Sequence, residues 1–294
     1  MPNIKEIRER IHSVHATQKM TKTMQLVSSS KLAKAQHQLA KTRKYADHVA
    51  HMFNNCIAQQ QLEILQPYLQ PNHAPKRLLI MISTEKGLCG SFNSNIIKHT
   101  DAYLATNQLS PDQVDILAIG KKANNHFKKQ DYTLITTYQT ITTNVQLADV
   151  TEDTHWIINA FLQQRYSCVE LIYNNLETAA THAVQVERVL PFDPSLMRLS
   201  PKNDVNKWYI LEPSHHALLE EIIPLRLSTQ LYQALITSNT AEHSARMTAM
   251  SKASENANTI LKSLRVTYNK TRQASITNEI LEIAAVAEAL RKKQ

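Results

Sequence analysis

The residues best suited to chemistry lie in a glycine-containing loop near the middle of the chain. Gly87 and Gly90 flank Cys89, and the loop follows a short apolar run and precedes a helical stretch. Such loops can bind phosphate through backbone N–H groups at the start of a helix. This loop lacks the Lys-Ser/Thr pair of a P-loop and the third glycine of a dinucleotide fingerprint. We therefore favour a tight turn that positions the next helix, with phosphate binding as the alternative.

Thirteen histidines and three cysteines raise the question of a metal site. The paired histidines are His12 with His15, His48 with His51, and His215 with His216. No HExxH motif, CxxC pair or neighbouring acidic ligand set completes a coordination sphere. We interpret the histidines as surface residues of helices and expect no metal and no other cofactor. The odd cysteine count (Cys56, Cys89 and Cys168) favours a reducing compartment over a disulfide framework.

A third candidate is the densest polar set near the C-terminus, formed by Arg265, Lys270, Arg272 and Gln273. Solvated helix charge is the simplest interpretation of such a set. The alternative is that a guanidinium and an adjacent amide bind carboxylates on a partner protein.

Two long runs without proline or glycine carry these residues, one over Asn3–Gln66 and one over residues 225–294. As single helices they would be roughly 95 Å and 105 Å long, at 1.5 Å per residue. A compact domain of this chain length has a radius of gyration of only about 19 Å. The two helices are therefore expected to project from the remainder as an arm or shaft.

The apolar residues of the two runs predict that the helices pair. Ile4, Ile7, Ile11 and Val14 alternate steps of three and four, which is the pattern of a coiled-coil seam. We expect the seam to continue less regularly through Met20, Met24 and Val27, and then through Leu32, Ala35 and Leu39. On the C-terminal run the expected face is lean and interrupted by polar residues: it contains Ala253, Ala257, Ile260, Leu264, Ala274, Leu281 and Ala285.

If the two helices run antiparallel, the C-terminal helix outruns its partner by roughly 10 to 25 Å. The overhang contains many apolar residues on more than one face: Ile276, Ile280, Leu281, Ile283, Ala284, Ala285, Val286 and Ala287. A lone helix tip of that kind exposes apolar surface to water, so it predicts a surrounding binding sleeve.

The middle of the chain holds all three glycines and most prolines, and it alternates strand and helix patterns. Apolar runs predict strands over Leu78–Ile82, Val114–Ile119, Tyr132–Thr137, Cys168–Tyr173 and Val184–Leu190. Helical stretches are expected over Asn95–Leu109, Lys121–Lys129 and Trp156–Tyr166. The alternation predicts a βαβ sheet covered by helices. We expect three regions: an N-terminal helix (1–66), a central α/β domain (67–213) and a C-terminal helix (214–294).

The net charge differs between the two terminal helices and the middle of the chain, which is also where the glycines and most prolines lie. Residues 1–66 carry ten Lys/Arg against four Asp/Glu, and residues 225–294 carry ten against five. The two terminal helices together therefore carry a charge of +11 and the middle carries −3, which gives the net charge of +8. Basic helices could bind nucleic acid through phosphates. However, few aromatic residues interleave with these charges and no nucleic-acid-binding motif is present. No stretch approaches 18 apolar residues, and the N-terminus has no signal-peptide pattern.

Several segments in chain order resemble the gamma subunit of F-type ATP synthase. The opening helix resembles it over Ile4–Lys22, and the central turn over Gly87–Asn93. Most specific are Ala245–Met250 (ARMTAM) and Tyr268–Ile280 (YNKTRQASITNEI). Departures are Glu85 where the family usually has Asp, Ser91 where it has a second glycine, and Leu211 where an aromatic residue is common.

The resemblance implies an α/β fold with a long antiparallel coiled coil of the two terminal helices and a central Rossmann-like domain. It implies a non-catalytic rotor that couples proton flow to ATP synthesis or hydrolysis at the alpha and beta subunits. One copy per complex would sit on the epsilon subunit and the c ring, as a peripheral protein on the cytoplasmic face of the bacterial inner membrane. The alternatives are a nucleotide-using α/β enzyme and a basic coiled-coil nucleic-acid binder.

The resemblance also assigns contact residues. Arg272, Gln273 and Thr277 would bind the beta-subunit catch loops, and Met24 would lie on the facing stretch of the N-terminal helix. Ile280, Ile283 and Val286 would form the tip inside the hexamer. In the foot of the rotor, Tyr209 and Glu212 would contact the c ring and epsilon.

Overall fold

The computed structural model describes residues 3–58, 65–70, 72–135, 145–176, 178, 181–193, 212 and 214–291, without the side chains of 58, 215, 286 and 288–291. The chain divides into two compact units, one of Ser29–Arg246 and one that joins Met1–Ser28 to Met247–Gln294.

The helices and strands follow the expected order. The helices are α1 (Ile4–Ala58), α2 (Gln66–Leu69), α3 (Phe92–Thr106), α4 (Lys121–Phe127), α5 (Leu147–Leu162) and α6 (His215–Arg291), with a 3₁₀ turn at Pro111–Gln113. The strands are β1 (Lys76–Ile82), β2 (Val114–Ile119), β3 (Thr133–Ile135), β4 (Tyr166–Leu176) and β5 (His182–Leu190).

Within Ser29–Arg246 the five strands form one sheet in the order β3-β2-β1-β4-β5. The first four are parallel and β5 is antiparallel to β4. Because parallel strands need crossover helices, α3, α4 and α5 cover the faces of this sheet. The predicted α/β fold is confirmed, with all five predicted strands present among the described residues.

The sheet is buried on both faces, and β1 shows why its sequence is continuously apolar. Leu78, Ile80 and Ile82 point into a core shared with α1, α5 and α6. Leu79 and Met81 point into a second core with α3 and α4. Side chains alternate across a strand, so a strand between two helical layers needs apolar residues at every position.

The prediction of a helix over Trp156–Tyr166 is wrong at both ends. Helix α5 begins at Leu147 and ends at Leu162, and Tyr166 opens β4. The helix stops because Gln164 adopts the left-handed conformation, with φ +57°, and the N–H of Arg165 bonds back to the carbonyl of Ala160. These are the features of a helix C-cap, here without the usual glycine.

Helix α6 begins earlier than the run without breakers, and Pro224 lies inside it. A proline within a helix costs about 3 kcal/mol, since it removes one hydrogen bond and crowds the preceding turn. Ile222, Ile223 and Leu227 around it are almost completely buried in the core with the sheet. Burial of about 1.5 to 3 kcal/mol per side chain exceeds the cost of the proline.

Helices α1 and α6 run antiparallel within Ser29–Arg246, as predicted. Lys31 lies near His243, Gln38 donates a hydrogen bond to the hydroxyl of Tyr232, and Asp47 lies near Arg226. As the residue number increases along α1, the residue number of its neighbour on α6 decreases, which shows that the two helices are antiparallel. The buried residues of α1 keep a strict 3.5-residue period here: Leu32, Ala35, Leu39, Thr42, Ala46, Val49, Phe53 and Cys56.

In the unit that joins Met1–Ser28 to Met247–Gln294, part of the predicted N-terminal seam is wrong. Met20 is 64% exposed and Val27 is 51% exposed. The same strict period instead selects the buried and half-buried residues Ile4, Ile7, Ile11, Val14, Gln18, Thr21, Gln25 and Ser28. The prediction selected seam positions by their apolar side chains. The buried positions instead follow the 3.5-residue repeat of the helix, and this repeat includes polar residues.

The C-terminal seam differs from its prediction for the same reason. Leu261 is 4% exposed, whereas Ile260 is 45% exposed, and Ala274, Leu281 and Ala285 are also exposed. The buried and half-buried positions are Ala257, Leu261, Leu264, Tyr268, Thr271 and Ser275, again in steps of four and three. Small, polar and aromatic residues thus share the seam, which remains lean as predicted.

Gly120, which directly follows β2, has a backbone conformation and close contacts that a residue with a side chain could not adopt without strain. Its φ is +94°, and a Cβ there would lie 2.4 Å from the carbonyl oxygen of Ser83. We predict that Gly120→Ala lowers the free energy of unfolding by about 3 kcal/mol, since backbone strain and overpacking add. In the control Gly87→Ala the new Cβ meets only Lys122 Cε, at 3.9 Å. Urea unfolding of the purified chain followed by circular dichroism measures both losses, and equal losses would contradict this account.

Candidate partner-binding surfaces

The predicted contact residues Arg272, Gln273 and Thr277 all lie exposed on α6. The hydroxyl of Thr277 donates to the carbonyl of Gln273 at 2.9 Å, so its hydrogen rests on its own helix. Within the part of the chain that the structure describes, the Arg272 guanidinium has no internal hydrogen bond or ion pair. Its five N–H donors are available to an external carboxylate.

The apolar residues that follow are exposed as predicted. Ile276, Ile280, Leu281 and Ile283 are between 46% and 70% exposed, and every described side chain after Ser275 is exposed. Isoleucine and leucine side chains clustered on a helix in water mark an interaction surface.

The spacing of these residues defines one surface, which we name the α6 stripe: Gln273, Ile276, Ile280, Ile283 and Ala287. Its steps of three and four repeat those of a coiled-coil seam. The seam that ends at Thr271 and Ser275 would continue through Asn278 and Glu282, which are polar and exposed. The stripe therefore lies on a different face of α6 from the seam, and it is suited to a second partner.

The remaining predicted residues are placed only in part. Met24 is half-buried on α1, between the exposed Met20 and Val27 at helical spacing. Glu212 is exposed. The side chain of Val286 and the whole of Tyr209 lie outside the described residues, so their assignments remain predictions.

The glycine-containing loop packs against the chain's own helix. Cys89 and Phe92 form a small core with Ala241 and Ala245 of α6. Ligands of open α/β sheets bind at the carboxyl ends of the strands, where the strand order reverses. That position lies between β1 and β4 here, directly at this loop. Helix α6 therefore packs against the loop at that position, which favours the tight-turn interpretation.

Arg246 fixes the loop to α6, a contact that the sequence did not reveal. Its guanidinium donates to the carbonyls of Lys86 and Gly87 at 3.3 Å and to the carboxylate of Glu242 at 2.6 Å. The sequence separation to the loop is 159 residues, so no local pattern points to it. Burial raises the pKa of the Cys89 thiol, which disfavours a thiolate nucleophile in this loop.

His243 beside this contact makes stability depend on pH. Its Nδ1 is buried and has no hydrogen-bond partner among the described residues. Burial, and after it the charges of Arg246 and Lys31, lower the pKa of His243 to about 4 from an ordinary 6.5. Below pH 6.5 the unfolded chain therefore gains a proton that the folded chain does not accept.

We predict that the free energy of unfolding falls as the pH drops from about 6.5 to about 4, and that His243→Gln falls less over this window. Above pH 6.5 the titration of His243 adds no difference between the two chains. Urea unfolding at neutral pH and near pH 5 measures this. Equal losses in both chains would show that His243 is not responsible.

Among the described residues, no three His, Cys, Asp or Glu side chains lie together in a way that could hold a metal ion. Among the same residues, no helix combines the length and apolar character that crossing a membrane requires.

The chain is similar to known proteins over nearly its whole length. The family model described as ATP synthase matches residues 3–290. The ATP synthase gamma chain of Amoebophilus asiaticus is 52% identical over 291 residues, with 99% of each chain covered. The chain belongs to the ATP synthase gamma chain family. The gamma chain of Cytophaga hutchinsonii is 37% identical, again over 99% of each chain.

Chains in solved structures of mitochondrial ATP synthases share the fold at lower identity. A chain of the Euglena gracilis mitochondrial ATP synthase has a TM-score of 0.65 at 20% identity, covering 98% of this chain and 94% of that one. A chain of the Tetrahymena thermophila central stalk and c-ring structure has a TM-score of 0.59 at 24% identity, covering 80% and 99%.

Membership of the gamma chain family establishes the function. The chain is a non-catalytic rotor subunit of the central stalk in the membrane-associated F1 complex, whose catalytic sites lie in the beta subunits. It couples proton flow through the membrane sector to ATP synthesis or hydrolysis by rotation. The two alternatives, a nucleotide-using enzyme and a nucleic-acid binder, are not favoured.

Proposed function

We propose that the α6 stripe and the residues just before it seat inside the hexamer of alpha and beta subunits. One observation carries this proposal: from Ile276 onward the stripe is apolar, and it is exposed and turned away from the coiled-coil seam. A surface that neither helix covers needs an external apolar partner to remove it from water. Val286 is assigned to the same tip by its place in the sequence.

The polar residues before the tip would provide directional contacts to beta. Arg272 and Gln273 would bind carboxylates and carbonyls of the beta-subunit catch loops, and the hydroxyl of Thr277 would accept a hydrogen bond from the same loops. Met24 would face the same region from α1. Charge-assisted hydrogen bonds are stronger than neutral ones and depend on geometry. Such contacts distinguish one beta subunit from the next as the shaft turns.

Rotation would then control nucleotide affinity by differential contact. A shaft shifts the equilibrium of a catalytic subunit only by the difference in contact energy between its faces. The stripe presents Ile276, Ile280 and Ile283 on one side, and the continued seam presents Asn278 and Glu282 on another. Each beta subunit therefore meets an apolar and a polar face in turn.

The other partners follow from the same assignment. The central α/β domain (67–213) would form the foot, with Tyr209 and Glu212 against the epsilon subunit and the c ring. One copy per complex is expected, because a single axle must contact the catalytic subunits in turn. The family resemblance implies a complex on the cytoplasmic face of the bacterial inner membrane, and we propose that location for this chain.

Site-directed cross-linking tests these contacts. The three native cysteines are 2–8% exposed, so an introduced surface cysteine would be labelled selectively. In the assembled complex, Ile280→Cys with a short photoactivatable linker should cross-link to alpha or beta, and Glu212→Cys to epsilon or c. Cross-links of position 280 to epsilon or c would contradict the proposal.

A further inference from the structure

We infer that a polar cluster centred on Glu187 fixes α6 against the sheet, so that the foot and the C-terminal helix turn together. The cluster, named here the Glu187 cluster, contains Arg43, Asp47, Tyr173, Glu187, Arg226 and Gln230. This inference rests on the proposal that the α/β domain is the part that the membrane ring turns.

The carboxylate of Glu187 on β5 connects the sheet to α6 directly. Its Oε1 accepts a hydrogen bond from Gln230 Nε2 of α6 at 2.5 Å. Its Oε2 accepts from the hydroxyl of Tyr173 on β4 at 3.1 Å. Glu187 is half-buried and Tyr173 is buried, so water competes little for these bonds.

Two cations and a second carboxylate extend the cluster to α1. Arg226 of α6 interacts with both Glu187 and Asp47, and Asp47 lies on α1. Arg43, also on α1, interacts with Tyr173. Burial lowers the pKa of Arg226, and the two carboxylates oppose that shift. Hydrogen bonds therefore join α6, β4 and β5, and the charges of Arg43 and Asp47 on α1 act on this network electrostatically.

The network supplies what the neighbouring apolar packing lacks. Ile222, Leu227 and Leu231 of α6 pack on the sheet in the large core. The hydrophobic effect is non-directional and does not by itself select one set of polar pairs between the helix and the sheet. Hydrogen bonds weaken steeply when their angles change. Glu187 is therefore a positioning residue for torque transmission, acting through Gln230 and Tyr173.

The test compares hydrolysis with proton transport in the complete complex reconstituted in vesicles. We expect Glu187→Leu to leave ATP hydrolysis within about twofold of the wild type, since the shaft can still turn inside the hexamer. Proton uptake per ATP, followed with a pH-sensitive dye, should fall about tenfold because two bonds to a carboxylate are lost. The control is Glu152→Leu, which removes an exposed carboxylate on α5 and should change neither rate.

An exchange variant separates this role from general stability. Glu187→Gln/Gln230→Glu restores a carboxylate–amide hydrogen bond with the groups interchanged, and it should recover most of the lost proton uptake. If Glu187→Leu does not assemble, Glu187→Gln replaces it, because it preserves side-chain volume. Equal losses of hydrolysis and proton uptake in the single variant, or no recovery in the exchange variant, would overturn the inference.

Ring binding is measured separately in the same preparations. Co-purification of c subunits with the wild-type chain reports whether the foot contacts the ring. Its failure would contradict the proposed partners of the foot. Loss of proton uptake in Glu187→Leu with c subunits still bound identifies the cluster itself as the point of failure.

Discussion

A chain truncated after Lys270 should bind the alpha and beta subunits about 10³-fold more weakly than the full-length chain and should fail to stimulate their ATP hydrolysis. The truncation removes the exposed Ile276, Ile280, Leu281 and Ile283. Burying each such side chain in a partner contributes about 1.5 to 3 kcal/mol, part of which is offset by the cost of association. The removed energy therefore corresponds to several powers of ten in affinity.

The truncated chain itself should remain folded. Among the described side chains that the truncation removes, Thr271 and Ser275 are half-buried in the seam and the others are exposed, so few internal contacts are lost. Thermal unfolding followed by circular dichroism provides this control, and pull-down of purified alpha and beta subunits measures the affinity. If the truncated chain assembles equally well and supports the same ATPase rate, the proposal that the α6 tip binds inside the hexamer of alpha and beta subunits is wrong.

The second large effect is expected from Arg272→Ala. If the guanidinium binds a desolvated carboxylate of beta, its loss leaves that carboxylate unpaired at a cost of about 2 to 5 kcal/mol. We expect steady-state ATP hydrolysis by the assembled complex to fall at least tenfold, with the stability of the isolated chain unchanged because Arg272 is exposed.

Two companion variants make the result specific. Arg272→Lys retains the charge but not the fork of donors, so it should recover only part of the rate. Lys262→Ala removes another exposed cation of α6 and should have no effect. If the complex with Arg272→Ala hydrolyses ATP at the wild-type rate, Arg272 does not bind the beta-subunit catch loops as proposed.

The parts of the fold that follow local physical rules could be predicted from the sequence. The run Leu78–Ile82 has apolar residues at every position, and it forms a strand with a core on each side. The prediction failed where packing overrides local preference. Pro224 lies inside α6 because the residues around it are buried, and residues 163–166 leave α5 because Gln164 is left-handed.

The seams show a different limit. A strict 3.5-residue repeat from Ile4 selects Gln18 and Gln25, whereas attention to apolar side chains selects Met20 and Val27, which are exposed. A hydrophobic pattern alone could not separate these choices, because the helix pair tolerates polar residues in its seam. The geometric period was the better guide.

Some contact residues could be predicted from the sequence alone, and others could not. The α6 tip follows from helix length and composition alone, whereas Arg272, Gln273 and Thr277 required the family resemblance. The interactions of Arg246 with the glycine-containing loop and of Glu187 with Gln230 join residues 159 and 43 positions apart. Only the folded arrangement brings such pairs together.

Direct observation of rotation tests the account most sharply. Lys129, exposed just after α4, can be replaced by cysteine and attached to a bead, since the native cysteines are buried. With the alpha and beta subunits fixed to a surface, the account predicts that ATP turns the bead in one direction, with three equal steps per turn as the threefold arrangement of catalytic sites requires. A bead that stays still while the same complexes hydrolyse ATP at their full rate would contradict it.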